Sequence, residues 1–192
     1  MLGQADRELF LLINSFHSPF WDSVMAAVSG RLTWIPLYLF IILFLAKERG
    51  RESVILILLV IIAVAIADLA SVHLFKNIFM RLRPCHEPDL EGLIHLVTGR
   101  CGGKYGFVSS HAANSFAIAV LSALFLRRRW FSIIIIAWAS IVSYSRVYLG
   151  VHYPGDIIGG AILGILVAFL IYHVTTHLHS TTWWYRTFKK KL

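Results

Sequence analysis

An all-α fold, a polytopic membrane helix bundle of five spanning helices preceded by one N-terminal helix, is what this sequence predicts, and three observations carry that reading. Of the 192 residues, 58% are hydrophobic and only 15% are charged, against about 25% charged in an ordinary soluble domain. The apolar residues fall in long blocks, 32–46, 54–75, 112–126, 130–144 and 157–172. Each block reaches the roughly 20 residues that cross a bilayer once flanking Ser, Thr, Gly and aromatic residues are included. Residues 54–67 contain no polar residue, which excludes the alternating strands of about ten residues that build a membrane β-barrel.

The N-terminal element comes first. Asp6, Arg7 and Glu8 precede a short apolar run at 9–13, without the basic start, long apolar core and cleavage site of a secretory signal, so this segment is expected to be retained. Further on, Asn14, His17, Pro19 and Asp22 interrupt a row of aromatics, Phe10, Phe16, Phe20 and Trp21. That mixture predicts an amphipathic helix over 6–28 lying in the interface, with a sixth span as the alternative. The five spans follow, joined by short connections and one long loop region at 76–110. There is no internal repeat, low-complexity linker or loop large enough for a second domain, so 1–192 reads as a single membrane domain.

The formal charge is +8, from 18 basic and 10 acidic residues, and its placement decides what it means. With five spans, the connection 47–52, the arginines Arg127, Arg128 and Arg129, and the tail 180–192 all fall on one side. That side holds Lys47, Arg49, Arg51, Arg186 and Lys189 to Lys191, so the positive-inside rule makes it cytoplasmic, with the C-terminus there. Trp183, Trp184 and Tyr185 before the final lysines read as an interfacial anchor. These charges orient the chain in an inner (cytoplasmic) membrane and meet anionic lipid; no nucleic-acid partner is expected. Cys85 and Cys101 lie in the 76–110 loop on the opposite, extracytoplasmic face, where an oxidising compartment permits a disulfide worth about 3 kcal/mol. Two unpaired thiols are the alternative. A metal site there is disfavoured, because His86 and His95 are near but no close cysteine pair exists.

Three polar clusters stand out from the apolar background. The first, KNIFMRLRP at 76–84, follows the second span. Lys76 and Arg83 are seven residues apart, two turns of a continuous helix, so one face would present both as an oxyanion clamp; snorkelling interfacial charge is the plainer reading. The second, YGFVSSHAANSF at 105–116, opens the third span. Ser109 and Ser110 suit a helix start, whose unpaired N–H groups and positive dipole end favour an anion, and His111 stands beside it. The third, SRVYLGVHYPGD at 145–156, joins the last two spans. Arg146 ends one, Pro154 suits the first turn of the next, and Asp156 follows His152 by four residues, a spacing that brings a carboxylate to an imidazole. Each cluster alone has a structural explanation. Counting spans brings all three to the extracytoplasmic face, where they make a phosphate site with a nucleophile and an acid.

At these residues the sequence resembles the type 2 phosphatidic acid phosphatase family, membrane lipid phosphatases that share a catalytic core with vanadium haloperoxidases. The family pattern is Lys, six residues, Arg-Pro; then Pro-Ser-Gly-His; then Ser-Arg, five residues, His, three residues, Asp. Lys76, Arg83 and Pro84 match the first element, and Ser145, Arg146, His152 and Asp156 the third. The middle element departs: Val108, Ser109, Ser110 and His111 stand there, with Ser110 in place of the glycine. The resemblance implies a phosphohistidine mechanism with His152 as nucleophile, Asp156 orienting it and His111 as acid and then base. It also implies that Lys76, Arg83, Arg146, Ser109 and the backbone at Ser110 bind phosphate. No cofactor and no metal are implied, and the clusters lack the carboxylates a magnesium site needs. The implied partner is a lipid phosphate presented by the bilayer. Undecaprenyl diphosphate is the favoured substrate, with phosphatidylglycerol phosphate, phosphatidic acid and lipid A phosphates as alternatives.

Rival readings rest on other residues. A haloperoxidase would use the same site to hold vanadate, but the lipid spans disfavour it. A transporter or a non-catalytic lipid-binding protein would use Asp68 and His73 as intramembrane pathway groups; both read better as supports for Lys76. His173, His177 and His179 resemble a metal-ligand spacing, but they fall on the cytoplasmic side and read as interfacial polar residues.

Overall fold

The computed structural model describes residues 2–181; the aromatic anchor at 183–185 and the basic residues at 186–191 lie outside the described residues. The described chain is helical, with one isolated β-bridge between Leu82 and Tyr105 and no strand.

Where the sequence reads as one amphipathic helix over 6–28, the chain forms two: α1 (Leu2–Ser15) and α2 (Pro19–Ser29). The break is chemical. Ser18 caps α2 by accepting from the Trp21 N–H at 3.4 Å, and Pro19 takes the first helical position, where its missing N–H costs nothing. Phe10 of α1 is fully buried against Leu90, Val147 and Tyr153, whereas Phe16 and Phe20 remain 71% and 69% exposed. The pair therefore packs on the bundle by one face and keeps an aromatic face outward.

Three helical stretches are long and apolar enough to cross a membrane: Leu32–Phe79 (48 residues), Arg129–Tyr148 (20 residues) and Pro154–His177 (24 residues). A straight helix of the first length would measure about 72 Å at roughly 1.5 Å per residue, more than twice a hydrocarbon core of about 30 Å. It is instead folded back at Gly50, whose φ of +54° suits glycine, into α3 (Ile35–Arg49) and α4 (Ser53–Ala70). Ile41 and Leu45 of α3 pack in one core with Ile57, Val60 and Ala63 of α4. Beyond α4 the chain continues through a π-helical turn, Ser71–Lys76, and a single turn, α5 (Asn77–Phe79), and leaves the helix at Met80, whose φ is +45°. A long loop, closed by the Cys85–Cys101 disulfide, leads to α6 (Ser110–Leu126), α7 (Arg129–Tyr148) and α8 (Pro154–Thr181). α6 is apolar but shorter than the other three stretches, at 17 residues.

α6 is the central helix, packed against α4, α7 and α8, and small residues let its neighbours approach. Ala112, Ala113, Ala117 and Ala119 are fully buried. Gly160 and Gly164 of α8 lie directly on the backbone of α6, at the carbonyls of Ser109 and Ala113, where a Cβ would overlap. This close approach, of the small-x-x-x-small kind that packs helices in membranes, brings the start of α8 to the start of α6. Ser109 N–H donates to the Asp156 carbonyl at 2.9 Å. At the other end of the bundle, the α3–α4 and α6–α7 turns meet: Arg49 donates to the Phe125 carbonyl, and Arg128 pairs with Glu48 at 2.6 Å.

Candidate active site

His152 sits in the turn between α7 and α8 and is 1% exposed. Gly150, with φ of +80°, makes that turn possible. Nδ1 of His152 lies 3.2 Å from Oδ2 of Asp156, as the four-residue spacing predicts, and the Tyr153 N–H donates to the same oxygen at 3.0 Å. With Nδ1 donating to the carboxylate, the ring's lone pair resides on Nε2. Burial first, then the positive charges of Arg83, Arg146 and Lys76, push the His152 pKa well below its ordinary value. Both effects favour the neutral imidazole, the form that carries a lone pair.

Asp156 is fully buried, and its second oxygen has its own partner. Arg81 Nη1 donates to Oδ1 at 3.0 Å, while Arg81 Nη2 donates to Asp6 Oδ2 at 2.7 Å. The Asp6 carboxylate accepts in turn from the Gly155 N–H at 2.7 Å. The guanidinium lies 4.2 Å above the Tyr153 ring, within cation–π range. Helix α1, the loop after α5 and the first turn of α8 thus converge on one carboxylate.

Three further cations surround His152. Lys76, on the π-helical turn, donates to Ser110 Oγ at 2.5 Å, and Ser71 lies 2.6 Å from the same hydroxyl. Arg83 reaches the site by a route the sequence does not predict. The helix that would have carried Lys76 and Arg83 on one face stops at Phe79, because Met80 turns into the left-handed region. Arg83 then lies in extended backbone, with Nε donating to the Tyr105 carbonyl and Nη1 to the Cys101 carbonyl, each at 3.3 Å. Buried Gly106 fills the angle between these groups. A Cβ there would lie 2.9 Å from Asp156 Oδ2, 3.2 Å from Arg83 Cγ and 3.6 Å from His152 Nδ1. Arg146, in the last turn of α7, donates through Nη1 to Ser29 Oγ of α2, and its buried Nε has no partner among the described residues. A guanidinium with a buried, spare donor suits a ligand oxygen.

Ser109 is buried and caps α6, accepting from the Ala112 N–H at 3.5 Å. Its hydroxyl serves the cap while the first N–H groups of α6 lack intrahelical acceptors. His111 stands in the first turn of α6, close to Arg146 and His152.

All eight residues singled out in the three motifs, Lys76, Arg83, Ser109, Ser110, His111, Arg146, His152 and Asp156, are thus gathered at one end of the bundle. Of the two expected supports, Asp68 accepts from Asn114 Nδ2 at 3.1 Å and ties α4 to α6. His73, in contrast, is exposed, because the π-helical turn breaks the stripe that would have aligned it with Lys76. Sequence reasoning missed Asp6, Ser29, Ser71, Arg81 and Gly106. Arg81 lay inside the first motif, and its presence beside Arg83 was the one available signal; the others are recognisable only from long-range contact.

A neutral imidazole nitrogen, oriented by a carboxylate and ringed by three cations and a helix start, can attack an electrophilic centre that carries several anionic oxygens. Comparison with known proteins bears on which one. The sequence profile of the PAP2 superfamily matches residues 52–180. The chain is similar to the lipid A 4′-phosphatase of Bacteroides thetaiotaomicron, 38% identical over 94% of this chain and 83% of that one. The lipid A 4′-phosphatase of Porphyromonas gingivalis is 33% identical, over 92% of this chain and 75% of its own. An undecaprenyl-diphosphatase of Sulfolobus acidocaldarius is 30% identical, over 85% and 75%. Among solved structures, the transmembrane PAP2-type phosphatidylglycerolphosphate phosphatase of Bacillus subtilis superposes with a TM-score of 0.71 over 94% of this chain and 89% of that one. At 24% identity that likeness speaks to the fold.

Proposed function

The chain belongs to the PAP2 superfamily of lipid phosphatases, and from that premise we propose that it removes the 4′-phosphate of a lipid A-type glycolipid through a phosphohistidine on His152. The observation that carries the chemistry is the 3.2 Å contact between His152 Nδ1 and Asp156; with Nδ1 as the donor, the lone pair is left on Nε2, in a ring on which the charges of Arg83, Arg146 and Lys76 act. Nε2 attacks phosphorus as the P–O bond to the sugar breaks on the opposite side, and His111 gives its proton to the departing sugar oxygen. Asp156 stabilises the imidazolium character of the phosphorylated ring. The three cations and the first N–H groups of α6 hold the equatorial oxygens. In the second half, His111 takes a proton from water, whose oxygen attacks phosphorus. The P–N bond breaks, and inorganic phosphate leaves with His152 restored.

The choice of substrate rests on the relatives. Two lipid A 4′-phosphatases align over more than nine-tenths of the chain, and they favour a glycolipid phosphomonoester over the undecaprenyl diphosphate that the size and layout of the resembled family favour. Undecaprenyl diphosphate remains the second reading, supported by the 30% identical diphosphatase. In the bilayer we place α3, α4, α6, α7 and α8 as five crossings, with α1 and α2 at the interface. Basic residues at both turns of one end, Lys47, Arg49, Arg51 and Arg127 to Arg129, support a cytoplasmic position for that end. The His152 cluster then faces the extracytoplasmic side of an inner membrane.

Purified protein supplied with lipid A, undecaprenyl diphosphate, phosphatidylglycerol phosphate and phosphatidic acid in one detergent tests both levels. Fastest release from lipid A, with mass spectrometry locating the loss at the 4′ position, is the expected result. A clear preference for undecaprenyl diphosphate would replace the substrate reading and leave the chemistry standing. Release by His152→Ala at the wild-type rate would end the phosphohistidine reading.

A further inference from the structure

Away from the His152 cluster, three side chains from separate segments meet at the α1–α2 turn. His17 lies in that turn, Asp22 in the first turn of α2, and His95 in the loop between α5 and α6. The imidazoles of His17 and His95 lie face to face, with centroids 3.6 Å apart and planes within 8°. His95 Nε2 is 2.8 Å from Asp22 Oδ2, and one donor atom from each of the three residues falls within 4.8 Å of the others. The group is also held from behind. The Tyr148 hydroxyl donates to the other Asp22 oxygen at 2.8 Å. Asn14 clamps the His95 backbone from both sides, donating to its carbonyl at 3.0 Å and accepting from its N–H at 2.8 Å. A surface His–Asp pair needs neither a second stacked imidazole nor a carboxylate oriented by a phenol.

We infer that His17, Asp22 and His95 form a binding site for one divalent cation of the zinc class. Two imidazole nitrogens and one carboxylate oxygen make the donor set that zinc takes, with a fourth position left open, whereas magnesium and calcium want more oxygen. A hydrogen bond from outside to the ligating carboxylate, here from Tyr148, is the kind that fixes ligand orientation at metal centres. Zinc bonds of about 2.0–2.2 Å require the donors to draw closer together. His17 is exposed and sits in a turn, so it can splay the ring stack, and the ion takes the place of the proton shared by His95 and Asp22. The open position then faces solvent beside His17.

The ion would fasten the α1–α2 turn to the disulfide-closed loop where that loop meets the catalytic turn: a Cβ on Gly150 would lie 2.9 Å from the His95 carbonyl. Gly150 precedes His152 by two residues, so the site borders the phosphate cluster without sharing a residue with it. Its role is to hold the segment that carries His152, and it stands whether or not lipid A is the substrate.

The test uses full-length protein without a polyhistidine tag, stripped with chelator, re-equilibrated with zinc and desalted. Bound metal is measured by elemental mass spectrometry, and affinity by competition with a chromophoric chelator. One zinc per chain is expected, weakened at least tenfold in His17→Ala and in His95→Ala and unchanged in a His173→Ala/His177→Ala control. Zinc in hundredfold excess over the wild-type dissociation constant should raise the thermal midpoint of the wild type by several degrees and that of His17→Ala by no more than about half as much. His17 is exposed, so its variant should match the metal-free wild-type midpoint, which separates lost binding from lost folding. Failure of the wild type to retain zinc, equal affinity in His17→Ala, or loss only in the His173/His177 control would each overturn the inference.

Discussion

Arg81 meets Asp156 at 3.0 Å, on the carboxylate oxygen that His152 does not use. The guanidinium is therefore a positioning group. It holds the fully buried carboxylate against which the His152 ring is set, and Asp6 holds the guanidinium from behind at 2.7 Å. Arg81→Ala removes its charged hydrogen bonds to Asp156 and to Asp6; losing the one to Asp156, worth roughly 1.5–3 kcal/mol, should lower kcat by about 10- to 100-fold with little change in KM. Asp6→Asn should act in the same direction and more weakly. Steady-state kinetics on both variants check this; a rise in KM at constant kcat would mean that Arg81 binds substrate directly.

The neutral state of His152 predicts how stability follows pH. Its folded pKa is pushed well below the ordinary 6.5, by burial first and then by Arg83, Arg146 and Lys76, so below about pH 6.5 the unfolded chain binds a proton that the folded chain refuses. This contribution to stability is complete above the unfolded pKa. It is lost as pH falls toward the folded one, at up to about 1.4 kcal/mol per pH unit. The thermal midpoint of the wild type should therefore drop by a few degrees per unit between pH 6.5 and 5. In His152→Gln the slope should be shallower by one proton's worth, measured by thermal unfolding in a single detergent across that range.

Local chemistry was legible in the sequence and long-range closure was not. The His152–Asp156 contact, the Ser109 cap and Pro154 at the start of α8 each depend on residues within four positions of one another, where spacing alone fixes geometry. Lys76 and Arg83 show the limit. Seven residues on a continuous helix would align them, but Met80 takes φ of +45°, so Arg83 returns along extended backbone. Asp6 meets Arg81 across 75 positions and Ser29 meets Arg146 across 117, and no local pattern announces either. The N-terminal segment likewise reads as an interfacial helix, and only its packing reveals that Asp6 contacts Arg81 and Ser29 contacts Arg146.

Opening the Cys85–Cys101 bridge should weaken phosphate binding more than turnover. Cys101 supplies the carbonyl that accepts from Arg83 Nη1 at 3.3 Å, and the bridge spans a sequence separation of 16, for which loop-closure entropy is worth about 3 kcal/mol. A Cys85→Ser/Cys101→Ser double variant should therefore show a several-fold higher inhibition constant for vanadate and a lower thermal midpoint, with kcat within a factor of a few. An inhibition constant equal to wild type would show that Tyr105 alone positions Arg83.

Substitutions at Gly164 test whether the site depends on how closely α8 lies on α6. Gly164 abuts the Ala113 carbonyl and would bring a Cβ to 2.9 Å from the Ala117 N, and neither contact is a flexible side-chain end that could move aside. Gly164→Ala must push the two helices apart by some tenths of an ångström, and Gly164→Leu by more. The same displacement stretches the 2.9 Å bond from Ser109 N–H to the Asp156 carbonyl, which couples the start of α6 to the turn that carries His152. Gly164→Ala should thus lose about 1–3 kcal/mol of stability, the usual cost of overpacking, and lose activity out of proportion to the folded fraction that remains. Gly159→Ala offers the contrast, because the nearest atom to its Cβ is the side-chain Cγ1 of Val108 at 2.8 Å, which can shift without separating the backbones. Unfolding curves read alongside specific activity per folded molecule distinguish the two cases. Full specific activity in folded Gly164→Ala would show that the helix contact stabilises the bundle without aligning the site.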